Sequence, residues 1–184
     1  GGYTQSGYSG ATWEWNGQTW TFRDVVGPPA RADHAMAYDA HRGVTVLFSG
    51  RFEQEFLGDT WEWDGEAWTL RADSGPPGHG EAIMEYDSNL PGVFMLARTG
   101  FTSGDPYRLW IWNGTVWTDV TGEAPLALSP RAAWDLIRAK LVYLCSTTLE
   151  VSGGTCELPI CLADLDGDGV RNEEDACLQS NVDG

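Results

Sequence analysis

Closely spaced carboxylates near the C-terminal end of the sequence could bind a cation. Residues 164–175 follow the pattern D-x-D-x-D-G-x-x-N-x-x-D. Calcium takes six to eight oxygen ligands, and its loops supply carboxylates from positions 1, 3 and 5, with glycine at position 6 for a sharp turn. Without a cation these carboxylates repel one another, and the alternative is a solvated acidic linker. We predict Ca²⁺ as a cofactor, with the ligands Asp164, Asp166, Asp168, Val170 (through its carbonyl), Asn172 and Asp175.

The sequence around these acids resembles a thrombospondin type 3 repeat. The resemblance rests on residues 166–170, D-G-D-G-V, followed by residues 174–177, E-D-A-C. Such repeats contain consecutive calcium-binding loops that are cross-linked by cysteines, so the resemblance implies a stiff extracellular tail. Asn172 also suits a dockerin-type loop. A dockerin, however, needs two loops and apolar helices, which residues 178–184 do not supply.

The cysteines support an oxidising compartment. All four lie in the last 40 residues, at Cys145, Cys156, Cys161 and Cys177. An even number in a loop-rich segment favours disulfides, although four cysteines allow three pairings. Cys145–Cys156 and Cys161–Cys177 are the favoured pairs. Zinc is the competing interpretation, but the spacings do not form paired Cys-x₂₋₄-Cys knuckles.

The charge balance narrows the class of partner. The formal net charge is −16, and Lys140 is the single lysine. Nucleic-acid phosphates and anionic membrane surfaces both attract basic proteins, so neither is an expected partner. An excess of carboxylates is compatible with cation binding.

The secondary structure is predicted from an internal repeat of the sequence. The segment T-W-E-W-N-G at residues 12–17 returns as T-W-E-W-D-G at 60–65 and as L-W-I-W-N-G at 109–114, each with a further tryptophan three residues later. Nine of the ten tryptophans lie in these copies. A fixed period of this size is typical of propellers, solenoids and arrays.

Each copy predicts a β-hairpin. An Asn-Gly or Asp-Gly two-residue turn is the strongest short hairpin signal. With that turn, Trp13 would lie opposite Trp20, and the equivalent tryptophans would pair in the later copies. Alternation then places the tryptophans on one face, predicted as core, and Glu14 and Glu62 on the other, predicted as solvated.

Two further strands fit between successive hairpins, so each period predicts four strands. The pattern resembles the bacterial kelch repeat over residues 1–148, on Tyr38-Asp39, Arg42-Gly43, residues 46–50, residues 59–65 and Trp68. The resemblance implies an all-β chain of kelch-like β-propeller blades, about three blades' worth. The usual double glycine is replaced in every copy. A β-sandwich with coincidental hairpins is the alternative fold.

The phase of the repeat predicts a partial propeller. The sequence begins with the last two strands of one blade and reaches the first two of another, so we expect blades upstream or closure by association. We divide the chain into propeller repeats at 1–148 and a short, irregular, Cys-rich, acidic tail at 149–184.

No catalytic pattern is recognisable in the sequence. His34, His41 and His79 are predicted to be structural, and no nucleophile elbow, phosphate loop or zinc-protease motif is present. Arg31 and Arg131 each follow a proline loop and could line one mouth of a ring, although an ion pair between blades is preferred.

The sequence therefore predicts a non-enzymatic secreted or cell-surface protein, extracellular, whose propeller binds a protein or glycan ligand, with a calcium-stabilised, disulfide-bonded stalk. Self-association is possible, and no nucleic acid or membrane insertion is expected. The alternatives are a self-assembling surface-layer or filament protein, and the propeller module of a secreted enzyme.

Overall fold

The computed structural model of the chain describes residues 1–77, 82–88, 90–100 and 105–121, together with the backbone of strands at 131–135, 140–145 and 154–159. Every helix or strand among these described residues is a β-strand, so the predicted all-β class is confirmed. The described strands form separate antiparallel sheets, and no closed ring or barrel is formed among them.

The strands fall into four successive repeats. Repeat 1 contains β1 (Gly2–Thr4), β2 (Gly7–Ser9), β3 (Thr12–Trp15) and β4 (Trp20–Arg23). Repeat 2 contains β5 (Ala35–Asp39), β6 (Val44–Phe48), β7 (Arg51–Phe52), β8 (Glu55–Phe56), β9 (Thr60–Trp63) and β10 (Trp68–Ala72). Repeat 3 contains β11 (Ile83–Tyr86), β12 (Val93–Arg98), β13 (Tyr107–Trp112) and β14 (Trp117–Asp119). Repeat 4 contains β15 (Arg131–Asp135), β16 (Lys140–Cys145) and β17 (Gly154–Pro159).

Repeats 2 and 3 each build one four-stranded sheet. The strand orders are β5-β6-β9-β10 and β11-β12-β13-β14, with every pair antiparallel. The four strands predicted for each period are therefore present in both. In repeat 2 the short hairpin β7–β8 is inserted between the second and third strands of the sheet, and β1–β2 stands in the same place before β3.

Repeat 4 forms a three-stranded sheet in the order β15-β16-β17. β17 comes from the segment that the sequence analysis assigned to the tail. Its register places Tyr143 opposite Cys156 and Cys145 opposite Gly154. The first two cysteines therefore lie on adjacent strands, two positions out of direct register.

The predicted hairpin register is wrong by two residues. Trp15, not Trp13, lies opposite Trp20, and four residues form the connecting loop. The cause is the side chain of Asn16, whose Oδ1 accepts hydrogen bonds from the backbone N–H groups of Gln18 and Thr19, both at 2.9 Å. This Asx-type turn extends the loop, while Gly17 still supplies the positive φ of 96° that the loop needs.

The same loop recurs in the later hairpins. Trp63 lies opposite Trp68, and Trp112 lies opposite Trp117. A shift of two residues preserves which face each side chain points to, because the period of a strand is two. An aromatic pair recurs on the predicted face, although it involves the second tryptophan of each motif and not the first, with ring centroids 5.4 to 5.5 Å apart in all three copies.

The core lies between the sheets of repeats 2 and 3. Val46 and Phe48 on β6 face Met95 and Trp112 of the next sheet, and all four are buried. Trp117 adds an aromatic contact to Phe48, with ring centroids 4.9 Å apart. The tryptophan face of each of these repeats thus covers the glutamate face of the repeat before it.

Candidate functional site

The contacts between repeats are made by indole donors and side-chain acceptors at equivalent positions. The Nε1–H of Trp63 donates to Glu14 of repeat 1 at 2.9 Å. The Nε1–H of Trp112 donates to Glu62 of repeat 2, also at 2.9 Å. The Trp-Glu-Trp motif therefore encodes both halves of a junction, with the donor on one face of the strand and the acceptor on the other.

A second indole bond accompanies each first one. Trp68 donates to the Thr12 hydroxyl at 2.8 Å, and Trp117 donates to the Thr60 hydroxyl at 2.9 Å. Thr12 is the first residue of β3 and Thr60 is the first residue of β9, and each lies two residues before the acceptor glutamate of its strand. Repeat 3 has Leu109 at this position. The two bonds together fix one repeat against the next at two points.

Glu62 is the most heavily bonded of these acceptors. It is 4% exposed and accepts from Arg71 Nε at 2.7 Å and from the guanidinium of Arg42, in addition to the Trp112 indole. Arg42 also donates to Asp39 at 2.7 Å. Burial acts to raise the pKa of Glu62, but hydrogen bonds from the indole and the two guanidinium groups outweigh it and lower that pKa.

The prediction that Glu14 and Glu62 form a solvated strand face is wrong for Glu62. Its carboxylate is buried because the next repeat packs over it. Glu14 is partly exposed, and its ion pair with Arg23 at 2.8 Å is open to solvent on both sides. These two carboxylates hold the repeats together and do not converge on a common cleft.

The sequence favoured an ion pair between blades for Arg31. Arg31 does form an ion pair, but its partner belongs to the same repeat. Its guanidinium is buried and binds both carboxylate oxygens of Asp59 at 2.6 and 2.7 Å, with a further bond to the Ser49 carbonyl at 2.9 Å. Burial acts to raise the pKa of Asp59, and the bonds from Arg31 and Trp61 lower it. The pair joins the loop before β5 to the loop before β9, because both flank the same sheet.

The histidines occupy different surroundings. His34 is partly buried, and its pKa is lowered by burial and by the nearby N-terminal amine and Arg31. His41 lies in the exposed β5–β6 turn, where its backbone N–H donates to Asp39 at 3.1 Å. His79 and the side chain of Arg131 lie outside the described part of the structure.

Repeat 1 leaves its tryptophan face uncovered. Trp13, Trp15, Trp20 and Phe22 lie on one side of the β3–β4 hairpin, and we call this set the aromatic face. Trp15 and Trp20 are 51% and 63% exposed. The prediction that the tryptophan face is core is therefore right for Trp63 and Trp112 and wrong for repeat 1. A contiguous exposed apolar patch of this kind is typical of an interaction surface.

The predicted calcium ligands cannot be placed in this fold. Asp164, Asp166, Asp168, Val170, Asn172 and Asp175 all lie outside the described residues. In the part of the chain that is described, no group of three His, Cys, Asp or Glu side chains is arranged to hold a metal ion. The described residues also contain no helix long and apolar enough to cross a membrane.

The acceptor role of the threonines was not predicted from the sequence. Nor was the cluster of Arg42, Arg71 and Trp112 around Glu62. The signal was present, because Thr and Glu recur two residues apart on a face opposite the tryptophans. Arg71 also recurs, at the position that Arg23 holds 48 residues earlier, whereas Arg42 has no such counterpart. They become partners of Glu62 only when the sheet brings β6, β9 and β10 side by side.

No protein-family model matches the chain, and no curated protein is significantly similar to it.

Proposed function

We propose that this chain is part of a non-enzymatic secreted or cell-surface binding protein. Kelch-like repeats would pack as the blades of a β-propeller and present their loops to a protein or glycan ligand. A calcium-stabilised, disulfide-bonded tail of the thrombospondin type 3 kind would carry these repeats away from the surface.

The observation that carries the scaffold role is the repeated pair of indole bonds between successive sheets. Trp63 and Trp68 join repeat 2 to repeat 1, and Trp112 and Trp117 join repeat 3 to repeat 2. Four-stranded antiparallel sheets joined face to face in this way have the strand content of propeller blades. Loops on such a rigid scaffold are the usual place for ligand binding.

Two buried or partly buried carboxylates of the repeats are not suited to act as general acids. A general acid needs a pKa raised toward neutrality, as burial without a cationic partner achieves. Glu62 and Asp59 are instead held ionised by arginine and indole partners, which lower the pKa of each. Hydrolase or oxidase activity of the pure chain that one substitution abolishes would overturn this part of the proposal.

Calcium binding by the tail is tested by calorimetry on the chelator-treated chain. We expect one exothermic or endothermic binding event that is lost in Asp166→Ala/Asp168→Ala. The matched control is Asp24→Ala/Asp73→Ala, which removes two exposed carboxylates far from the tail in sequence and should bind calcium like the parent. No heat of binding down to millimolar calcium would overturn the calcium role, as would equal loss in both variants.

The binding role is tested on a glycan array and on immobilised extracellular proteins, with calcium present. A ligand that binds the chain reproducibly and is displaced by soluble chain would support the proposal. Undiminished binding of that ligand by the heat-unfolded chain would contradict a role for the folded repeats.

A further inference from the structure

The junctions between repeats follow a rule that pairs an acceptor with a donor. Where the strand of one repeat carries Glu, the next repeat carries a Trp donor one residue beyond its own Glu-equivalent position: Glu14 meets Trp63, and Glu62 meets Trp112. The rule concerns β3, β9 and β13, the strands that hold the Trp-x-Trp segment. The register of β17 against β16 shows which residues of repeat 4 occupy the same positions.

Repeats 3 and 4 have apolar residues at the acceptor position and at the donor position, respectively. Ile111 lies opposite Phe94, in the position that Glu62 holds opposite Val46, and it cannot accept a hydrogen bond. In β17, Leu158 lies opposite Leu141, in the position that Trp63 holds opposite Thr45. Leu158 has no donor to offer. The acceptor is therefore absent from repeat 3 and the corresponding donor from repeat 4, as the rule expects for successive repeats.

The acceptors return in repeat 4. Thr155 lies opposite Leu144 and Glu157 opposite Val142, the register positions that Thr60 and Glu62 hold against Phe48 and Val46. The backbone of β17 thus offers the Thr-x-Glu arrangement that receives two indole donors elsewhere in the chain. Residues 160–184 contain no tryptophan that could donate to this arrangement.

The missing donors are present in repeat 1. Trp15 and Trp20 correspond to Trp63 and Trp68, whose indoles donate to Glu14 and Thr12. The aromatic face to which they belong is about half exposed, and none of the residues whose side chains are described packs over it.

We propose that a second copy of this chain completes the junction. The aromatic face of one copy would pack on repeat 4 of the next, with Trp15 donating to Glu157 and Trp20 donating to Thr155. The two surfaces are different, so the contact is head-to-tail, and it generates a ring if the rotation closes or a filament if it does not. The proposal does not depend on calcium or on a ligand.

The first test is the mass of the pure chain by light scattering across concentration. It is run in about 0.15 M salt, because a net charge of −16 opposes association and salt screens that repulsion. We expect oligomers that dissociate on dilution. A Trp15→Phe variant keeps an aromatic side chain but removes the N–H donor. This variant should associate about tenfold or more weakly than the parent.

Two interface variants test the direction of the contact. The donor variant is Trp15→Ala/Trp20→Ala, and the acceptor variant is Thr155→Lys/Glu157→Lys. Each should be monomeric alone, and an equimolar mixture should form a 1:1 complex, because each retains the face that the other needs. Unchanged circular dichroism of both variants excludes unfolding as the cause of monomer formation.

Three results would overturn the proposal. A parent chain that stays monomeric up to about 1 mM would show that the aromatic face has another occupant, such as a repeat outside this sequence or repeat 4 of the same chain. Association that survives in the acceptor variant would show that aromatic faces pair with one another. Failure of the two variants to form a complex when mixed would show that the contact is not head-to-tail.

Discussion

Replacing Glu62 by isoleucine removes the most heavily bonded acceptor between repeats and installs the residue that repeat 3 carries at the same position. Glu62 accepts from Trp112, Arg71 and Arg42 while it is almost fully buried. Removing one partner of a buried ion pair generally costs about 3–5 kcal/mol of unfolding free energy. That range is an upper bound here.

Two of the partners can recover part of the loss. Arg71 is 45% exposed and can be hydrated, and Arg42 keeps its bond to Asp39. The Trp112 indole is fully buried, and an orphaned N–H costs about 1–3 kcal/mol. We therefore expect Glu62→Ile to lower the unfolding free energy by about 3 kcal/mol, and Glu62→Gln, which keeps an acceptor for the indole, by about half of that.

The matched control is Glu14→Ile. Glu14 also binds an indole and an arginine, but its side chain and that of Arg23 are each 38% exposed. Solvent-exposed ion pairs contribute at most about 1 kcal/mol, and the nearly buried Trp63 indole also loses its acceptor, so this variant should lose about 1–2 kcal/mol, less than Glu62→Ile. The assay is urea unfolding followed by tryptophan fluorescence and circular dichroism, at one protein concentration because association adds to apparent stability.

The pH dependence gives the prediction a second readout. The pKa of Glu62 in the folded chain lies below its ordinary value of about 4.5, so the unfolded state binds more protons and stability rises with pH. The contribution of Glu62 is complete above that value and is lost as pH falls through the folded pKa. The stability gap between parent and Glu62→Ile should therefore narrow between about pH 6 and pH 3.

Equal losses for Glu62→Ile and Glu14→Ile would refute the reasoning, since the argument rests on the difference in burial between the two carboxylates. A gap that does not change with pH would refute the electrostatic part alone. The remaining loss would then come from packing.

Two further changes test other contacts by unfolding in urea. Asp59→Asn leaves the buried Arg31 without its counter-charge and should cost about 3 kcal/mol, whereas Asp33→Asn breaks only an exposed ion pair and should cost under about 1 kcal/mol. Equal effects would contradict the role of burial. Gly92→Ala would place a Cβ against a backbone carbonyl of the neighbouring strand and should cost about 2 kcal/mol or more, while Gly58→Ala meets only ordinary contacts. Similar stability of the two alanine variants would show that β12 and β13 shift apart without cost.

The all-β class and the face assignment follow from local sequence. Trp13, Glu14 and Trp15 alternate, and alternation in a strand places neighbours on opposite faces whatever the loop length. The faces were therefore predicted correctly even though the hairpin register was wrong by two residues. The register depended on the Asn16 side chain, whose hydrogen bonds to the loop backbone compete with a two-residue turn.

The contact of Arg42 with Glu62 could not be predicted from the sequence. Arg42 lies twenty residues away along the chain, and only the pairing of β6 with β9 brings it to the carboxylate. The difference in burial between Glu62 and Glu14 could not be predicted either, because the two glutamates occupy the same position of the same motif. What differs is the neighbouring sheet that covers each.

The sequence by itself determined the strands, their alternation and the period of the repeat, because these depend on residues within a few positions of one another. Only the tertiary structure decided which tryptophans are core. Trp112 is buried because a complete sheet precedes it, whereas Trp15, in the same motif, remains exposed because no described repeat packs against its face. Burial is a property of the partner surface, and a local motif carries no information about whether that partner is present.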